Sequence, residues 1–168
     1  MAALDREHQV NIYILRHGAA EPRGKTTPDA ERRLTKEGRR EVKAVVQKAR
    51  AAGAAPALIL TSPLVRAVET AQIAQEALQA GQVTETNALL PDSPPQSVWR
   101  EIRSHAGAGS ILLVGHEPQL SRIAAFLLEA PLAIDLKKGA LLRLTVQDHH
   151  GPPRGVLKWL LTPRLARH

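Results

Sequence analysis

Short apolar runs rich in β-branched residues alternate along the chain with longer stretches whose apolar positions recur every three or four residues. These are the signatures of strands and amphipathic helices. Residues 10–15 (V-N-I-Y-I-L) predict a buried strand ending in Arg16-His17-Gly18. Residues 19–33 are polar, carry two prolines and Gly24, and read as a loop. Thr35 is placed to cap a helix running to about Ala52, with Val42, Val45, Val46 and Ala49 inward and Gly53 ending it. Residues 58–61 form the next predicted strand. Ser62-Pro63 follow, and Pro63 is expected in the first turn of a helix whose core face is Leu64, Ala67, Val68, Ala71 and Leu78. A weaker strand is expected at 83–86 and a proline-rich loop at 89–95. Ser93 is expected to cap a helix over 94–105, with Val98, Trp99 and Ile102 inward. Residues 111–114 predict a strand ending in Gly115-His116-Glu117-Pro118, and a helix to about Leu128 places Leu120, Ile123, Ala124 and Leu127 inward. Residues 141–146 and 156–161 read as two strands joined as a hairpin. No internal repeat or low-complexity segment is present.

Strands alternating with helices imply an α/β fold with helices on both faces of a sheet. In such sheets, binding sites form beyond the carboxyl ends of the strands. Three of the predicted strands end in groups that carry chemistry: Arg16-His17, Ser62-Pro63 with Arg66 one turn on, and His116. Remote in sequence, they are expected to meet in the fold.

The 168 residues suffice for one domain, taken as 1–168 with 1–8 as a flexible N-terminus. Aromatic residues make up only 2%, which leaves the core to Leu, Val, Ile and Ala and argues against base stacking on single-stranded nucleic acid. The absence of cysteine excludes disulfides, thiolate metal sites and cysteine nucleophiles. Residues 1–7 lack the apolar run of a signal peptide and no stretch is long enough to span a bilayer, so a cytoplasmic protein without a membrane partner is expected. Lysine and arginine outnumber acids 23 to 16, a formal +7 that suits an anionic substrate or an acidic partner. Many arginines read as scattered surface residues, so nucleic acid is not the expected partner. A monomer is favoured.

A phosphoryl group is matched by arginine, whose fork of donors stays charged at any working pH. Two arginines from different loops can clamp it, and a neutral imidazole between them can attack phosphorus. Neighbouring cations favour that unprotonated form. A second histidine, if protonated, would neutralise charge on the transferring oxygens. Arginines would supply the electrostatics, so no metal or other cofactor is expected. None of the seven histidines sits in H-x-x-x-H or H-E-x-x-H spacing.

The residues also carry a resemblance. Leu15-Arg16-His17-Gly18 after a first strand resembles the signature of the histidine phosphatase superfamily, which includes phosphoglycerate mutases. The segment from Asp29-Ala30-Glu31-Arg32-Arg33-Leu34-Thr35 to Gly38 resembles its R-x-L-T-x-x-G motif. Ser62-Pro63-Leu64-Val65-Arg66-Ala67 with Thr70 resembles S-P-x-x-R-A-x-x-T, and Gly115-His116-Glu117-Pro118 resembles the second-histidine motif. All four occur in family order. The short length and the closing L-K-W-L-L-T-P look most like SixA-type phosphohistidine phosphatases. The resemblance implies a three-layer α/β/α sandwich with a mostly parallel sheet, phosphoglycerate mutase-like. It makes His17 the nucleophile, with Arg16, Arg66 and His116 completing a phosphate pocket that also takes in Gly18, Ser62 and Arg32.

Two departures from the wider superfamily point to a substrate. Many members carry a glutamate acid and a helical lid after the third strand. Here the chain reads Leu89-Leu90-Pro91-Asp92, and Asp92 is a doubtful acid. Members acting on phosphoglycerate carry an asparagine shortly after R-H-G, which this loop lacks. A sugar alkoxide needs a proton donor on leaving. Imidazole, with a conjugate-acid pKa of about 6.5, leaves more readily. The expected function is hydrolysis of a phosphoryl group through a phosphohistidine on His17. Its expected partner is a phosphorylated substrate, foremost a histidine-phosphorylated signalling protein. The alternatives are a small-molecule phosphomonoesterase acting on nucleotides or sugar phosphates and, from another class, a non-catalytic phosphate or polyanion binder.

Taken singly, each residue has a plainer reading. His17 and His116 read as structural histidines and Arg16 and Arg66 as salt-bridging arginines; only the ordered set makes them a site. Arg33 competes with Arg32 for the pocket. Ser62 and Thr70 either touch phosphate or hold the loop. Glu117 either orients an imidazole or balances a helix dipole. Glu69 reads as a helix-surface charge, and Lys137 and Lys138 as a solvated turn, with guidance of a partner as the alternative. His149 and His150 read as solvent-facing in the hairpin turn, while His8 and His105 show no partner.

Overall fold

The computed structural model describes residues 9–147 and 151–167; residues 1–8, with the expected flexible N-terminus and His8, and His149 and His150 lie outside them. The strands are β1 (Gln9–Arg16), β2 (Leu58–Thr61), β3 (Gln82–Glu85), β4 (Ser110–Gly115), β5 (Leu141–Gln147) and β6 (Arg154–Leu161). The helices are α1 (Lys36–Ala51), α2 (Val65–Leu78), α3 (Pro95–Ser104), α4 (Gln119–Leu127) and the short α5 (Pro163–Ala166). The strands form one sheet in the order β3-β2-β4-β1-β5-β6. The pairs β3-β2, β2-β4 and β4-β1 are parallel, and β5 is antiparallel to both its neighbours, so only β5 runs against the rest.

Alternation along the strands divides the core in two. Ile12, Ile14, Leu60, Ile111 and Leu113 face α3 and α4, meeting Val98, Ile102, Leu120 and Ile123. Tyr13, Leu15, Ile59, Leu112 and Val114 face α1 and α2, meeting Val42, Val45, Ala67 and Ala71. Helices thus cover both faces, which completes the three-layer α/β/α sandwich. Each fully buried Val, Leu or Ile stabilises the fold by roughly 1.5–3 kcal/mol. Among the described residues, no helix is long and apolar enough to cross a membrane.

Three local expectations are corrected. Pro63 precedes α2, whose N-cap is Leu64. The extended conformation imposed on the residue before a proline keeps Ser62 at the strand end, where its backbone N–H bonds to the Val114 carbonyl. Ser93 does not cap α3, which begins at Pro95 after Pro94; its hydroxyl donates to the Asn87 carbonyl at 2.6 Å. Glu69 is not a surface charge. Its side chain is 11% exposed, accepts the Leu34 N–H at 2.8 Å and pairs with Arg39 at 2.5 Å.

Thr35 does cap α1, its Oγ1 accepting the Gly38 N–H at 2.9 Å. Gly38 lies in the first turn, where glycine costs about 1 kcal/mol relative to alanine. The reason is tertiary: a Cβ there would lie 2.2 Å from the Ala19 carbonyl oxygen. The same oxygen accepts the Thr35 N–H at 2.9 Å, and Glu21 N–H bonds to the Arg33 carbonyl at 2.9 Å. The long loop after β1 is therefore tied shut at its base. Gly38→Ala is expected to destabilise the fold by about 1–3 kcal/mol, because the contact is backbone against backbone and neither side can rotate away. A urea-unfolding midpoint equal to or above that of the native protein would contradict this.

Candidate active site

Backbone hydrogen bonds join the ends of three strands. His17 N–H donates to the Gly115 carbonyl at 3.0 Å, and Ser62 N–H to the Val114 carbonyl at 3.0 Å. Because β4 lies between β1 and β2, the segments beginning Arg16-His17, Ser62 and His116 emerge side by side. The His17 and His116 rings lie 5.1 Å apart between centroids, tilted by 56°. Both are buried, as is Arg66.

His17 Nδ1 lies 2.7 Å from the Gly18 carbonyl oxygen. A carbonyl only accepts, so Nδ1 carries the proton and the lone pair resides on Nε2. The pKa of His17 is lowered to about 4. Burial is the largest cause; the Gly18 carbonyl pulls the other way, and the charges of Arg66, Arg16 and Lys138 add to the lowering. Gly18 is itself constrained, since a Cβ would meet Val42 Cγ2 at 2.8 Å and the Gly38 carbonyl oxygen at 2.9 Å. Its N–H donates to Thr70 Oγ1 at 3.2 Å, and that hydroxyl donates to the Arg66 carbonyl at 2.7 Å. Thr70 thus holds the His17 loop against the helix that carries Arg66.

His116 Nε2 is 2.8 Å from Ser62 Oγ. Its pKa is lowered to about 3, by burial first and then by the proximity of His17 and Arg66. The sequence leaves the protonation of the second histidine open; in the free protein, burial and the charges beside it favour the neutral ring. Positive charge on His116 has to come with the anion that binds.

Arg66 is held by the segment 29–32. Its two terminal nitrogens donate to the Asp29 carbonyl at 2.8 Å and to Asp29 Oδ2 at 3.2 Å. Arg32 Nε donates to Asp29 Oδ1 at 2.9 Å, and its terminal nitrogen donates to the Glu21 carbonyl at 2.8 Å. Arg33 instead points outward, 71% exposed, toward Glu69 at 3.8 Å. Asp29 lies within the segment that resembles the second motif, and the sequence assigns it no role. Burial opposes its ionisation, yet Arg66, Arg32 and Arg23 overcome that and hold its carboxyl below the ordinary value.

Arg16 donates to the Leu136 carbonyl at 2.9 Å. Glu117 takes the dipole role rather than orienting a ring: it accepts the Ser121 N–H at 2.9 Å and the Ser121 hydroxyl at 2.5 Å. Asp92 is exposed in the turn before α3. Three polar atoms of the cluster, Arg16 Nε, Arg66 Nε and His116 Nδ1, are buried without a partner among the described residues. Each such group costs about 1–3 kcal/mol unless something bonds to it. A cluster that keeps two guanidinium groups and two neutral imidazoles desolvated is built to receive an anion. Among the described residues, no group of three or more His, Asp or Glu side chains is placed to hold a metal ion.

Known proteins share this fold. Residues 12–90, which contain Arg16, His17, Arg32 and Arg66, match the sequence model of the histidine phosphatase superfamily (branch 1). An uncharacterized protein of Picosynechococcus sp. is 30% identical over 164 residues, covering 90% of this chain and 99% of its own length. The structure of the protein histidine phosphatase SixA complexed with tungstate superposes with a TM-score of 0.81 at 22% identity, covering 92% of this chain and 98% of that one. A mycobacterial glucosyl-3-phosphoglycerate phosphatase gives 0.65 at 17% identity, covering 89% and 97%. The fold is that of both proteins, and the chain belongs to the histidine phosphatase superfamily as one of its phosphatases.

Proposed function

We propose that this protein hydrolyses protein-borne phosphohistidine, with His17 as nucleophile and no metal in the reaction. The observation that carries the reading is the fixed tautomer of a buried, neutral His17 beside Arg16, Arg66 and His116. Nε2 attacks phosphorus; the N–P bond forms as the bond from phosphorus to the substrate imidazole breaks, and that ring, protonated on its other nitrogen, leaves as neutral imidazole. Gly18 holds the Nδ1 proton as positive charge develops on the ring. Arg16 and Arg66 stabilise the equatorial oxygens. Water then takes the phosphoryl group, and neutral His17 and inorganic phosphate are released.

The leaving group follows from the carboxylates. Among the described residues, Asp29 is the one carboxylate hydrogen-bonded to the arginines and histidines of the cluster, and three arginines hold it ionised. An anionic carboxylate is a poor proton donor near neutrality. A leaving imidazole needs little help, whereas a sugar alkoxide needs a proton. The closer superposition on SixA than on the glucosyl-3-phosphoglycerate phosphatase supports the same choice.

A substrate panel at fixed pH tests it. A phosphohistidine peptide is expected to exceed any sugar phosphate or nucleotide by about 10²-fold or more in kcat/KM; comparable rates would refute the assignment. The pH profile is a separate check. Protonation of His17 removes the attacking lone pair, so kcat/KM falls as pH drops through the free-enzyme pKa. With that pKa lowered to about 4, activity corrected for substrate ionisation is expected to stay level from neutrality down to about pH 5. An acid limb centred near an ordinary histidine value would show that His17 is not the titrating nucleophile.

A further inference from the structure

Beside the site lies a groove whose charged lining, apart from Arg16, the reaction does not use. A cavity of about 700 Å³ is lined by Arg16, Lys137, Lys138, Arg164 and Arg167, with Glu41 as its one carboxylate among the described residues. It is continuous with the site through Arg16. The loop bearing the two lysines is fastened to the nucleophile's backbone: Gly139 N–H lies 3.1 Å from both the Arg16 and His17 carbonyls, and Arg16 N–H bonds to the Ala140 carbonyl at 3.1 Å.

The cations of this groove are not equivalent. Lys137 is paired with Asp135 at 2.6 Å, and Arg167 is paired with Glu37 and Glu41. Lys138 and Arg164 are exposed and have no ion-pair partner among the described residues. A locked subsite for one small anion would need buried donors of fixed geometry. Exposed cations on flexible stems, spread along an open groove several times the size of a phosphate, suit an extended segment carrying several carboxylates.

We propose that the groove lined by Lys138 and Arg164 receives an acidic peptide segment flanking the phosphorylated residue of the substrate protein. This rests on the phosphohistidine reading above and adds a specificity to it. Attraction of this kind acts on encounter and on KM rather than on the chemical step.

The test uses phosphohistidine peptides of equal length flanked by glutamates or by glutamines, with p-nitrophenyl phosphate as a substrate that has no flanking carboxylates for the groove to bind. The native enzyme is expected to favour the glutamate peptide by about tenfold in kcat/KM, through KM, and to lose the preference in about 0.5 M salt. In Lys138→Gln/Arg164→Gln the preference is expected to vanish while p-nitrophenyl phosphate turnover stays within about twofold, since His17 remains neutral at pH 7.5 without Lys138. Equal rates on the two peptides in the native enzyme, or a preference that survives in the double variant, would overturn the proposal and leave the phosphatase reading standing. If neither peptide is hydrolysed, the phosphohistidine reading fails on its own. The groove is then judged by fluorescence anisotropy of the unphosphorylated glutamate peptide, where equal affinity for native and double variant counts against it.

Discussion

Replacing His17 with alanine is expected to lower kcat by about 10⁴-fold or more and to abolish the phosphoenzyme, because no other group takes over the covalent step. Rapid-quench labelling with a phosphoryl donor reads this directly: native protein gives an acid-labile, base-stable adduct and the variant gives none. The ring is 7% exposed and its Nδ1–H satisfies the Gly18 carbonyl, so alanine also removes packing and a hydrogen bond. His17→Asn separates the two effects. Its amide can still donate to that carbonyl but has no nucleophilic nitrogen, and the same loss of labelling with an unchanged thermal melt is expected. A labelled adduct surviving in either variant would move the nucleophile elsewhere. A native enzyme that turns over without any adduct would remove the covalent mechanism.

The second large effect is at Arg66. Its side chain is 6% exposed, two of its nitrogens are held by Asp29, and its Nε is buried and unpartnered. Arg66→Ala is expected to cost about 10²–10³-fold in kcat, the size seen when a preorganised charge stabiliser is removed from a transition state. Arg66→Lys is expected to recover only about tenfold of it, because a single ammonium cannot reproduce the planar fork. The loss is expected in kcat more than in KM, since charge on the equatorial oxygens is redistributed during transfer. Asp29 keeps Arg32 and Arg23 as partners in these variants, which protects the fold. A change confined to KM would make Arg66 a binding residue only. Near-native kinetics in Arg66→Ala would remove it from the site.

The architecture was legible because its signals are local. Period-two alternation in V-N-I-Y-I-L places Ile12 and Ile14 on one face and Tyr13 and Leu15 on the other, and these are the faces that α4 and α1 cover. The motifs at the strand ends were equally readable, because a strand's carboxyl end in such a sheet is a predictable address. Boundaries slipped by a residue or two, and Pro63 and Ser93 were assigned to helices they only precede. Local propensity does not see which carbonyl across the fold a backbone N–H or hydroxyl will find.

The sequence by itself determined the sandwich, the order of its strands and helices along the chain, and the identity of the residues at the strand ends. Only the tertiary structure decided how those residues behave. Asp29 and Arg66 are 37 positions apart, and nothing in either segment says that one grips the other. Glu69 has the spacing of a surface position and is mostly shielded from solvent because the folded-back loop offers it the Leu34 N–H. His116 is a neutral imidazole in the free site, with one ring proton and not two, because burial and the neighbouring His17 and Arg66 lower its pKa to about 3. Periodicity is a property of neighbours in the chain, whereas charge, tautomer and desolvation depend on neighbours in space, which only folding supplies.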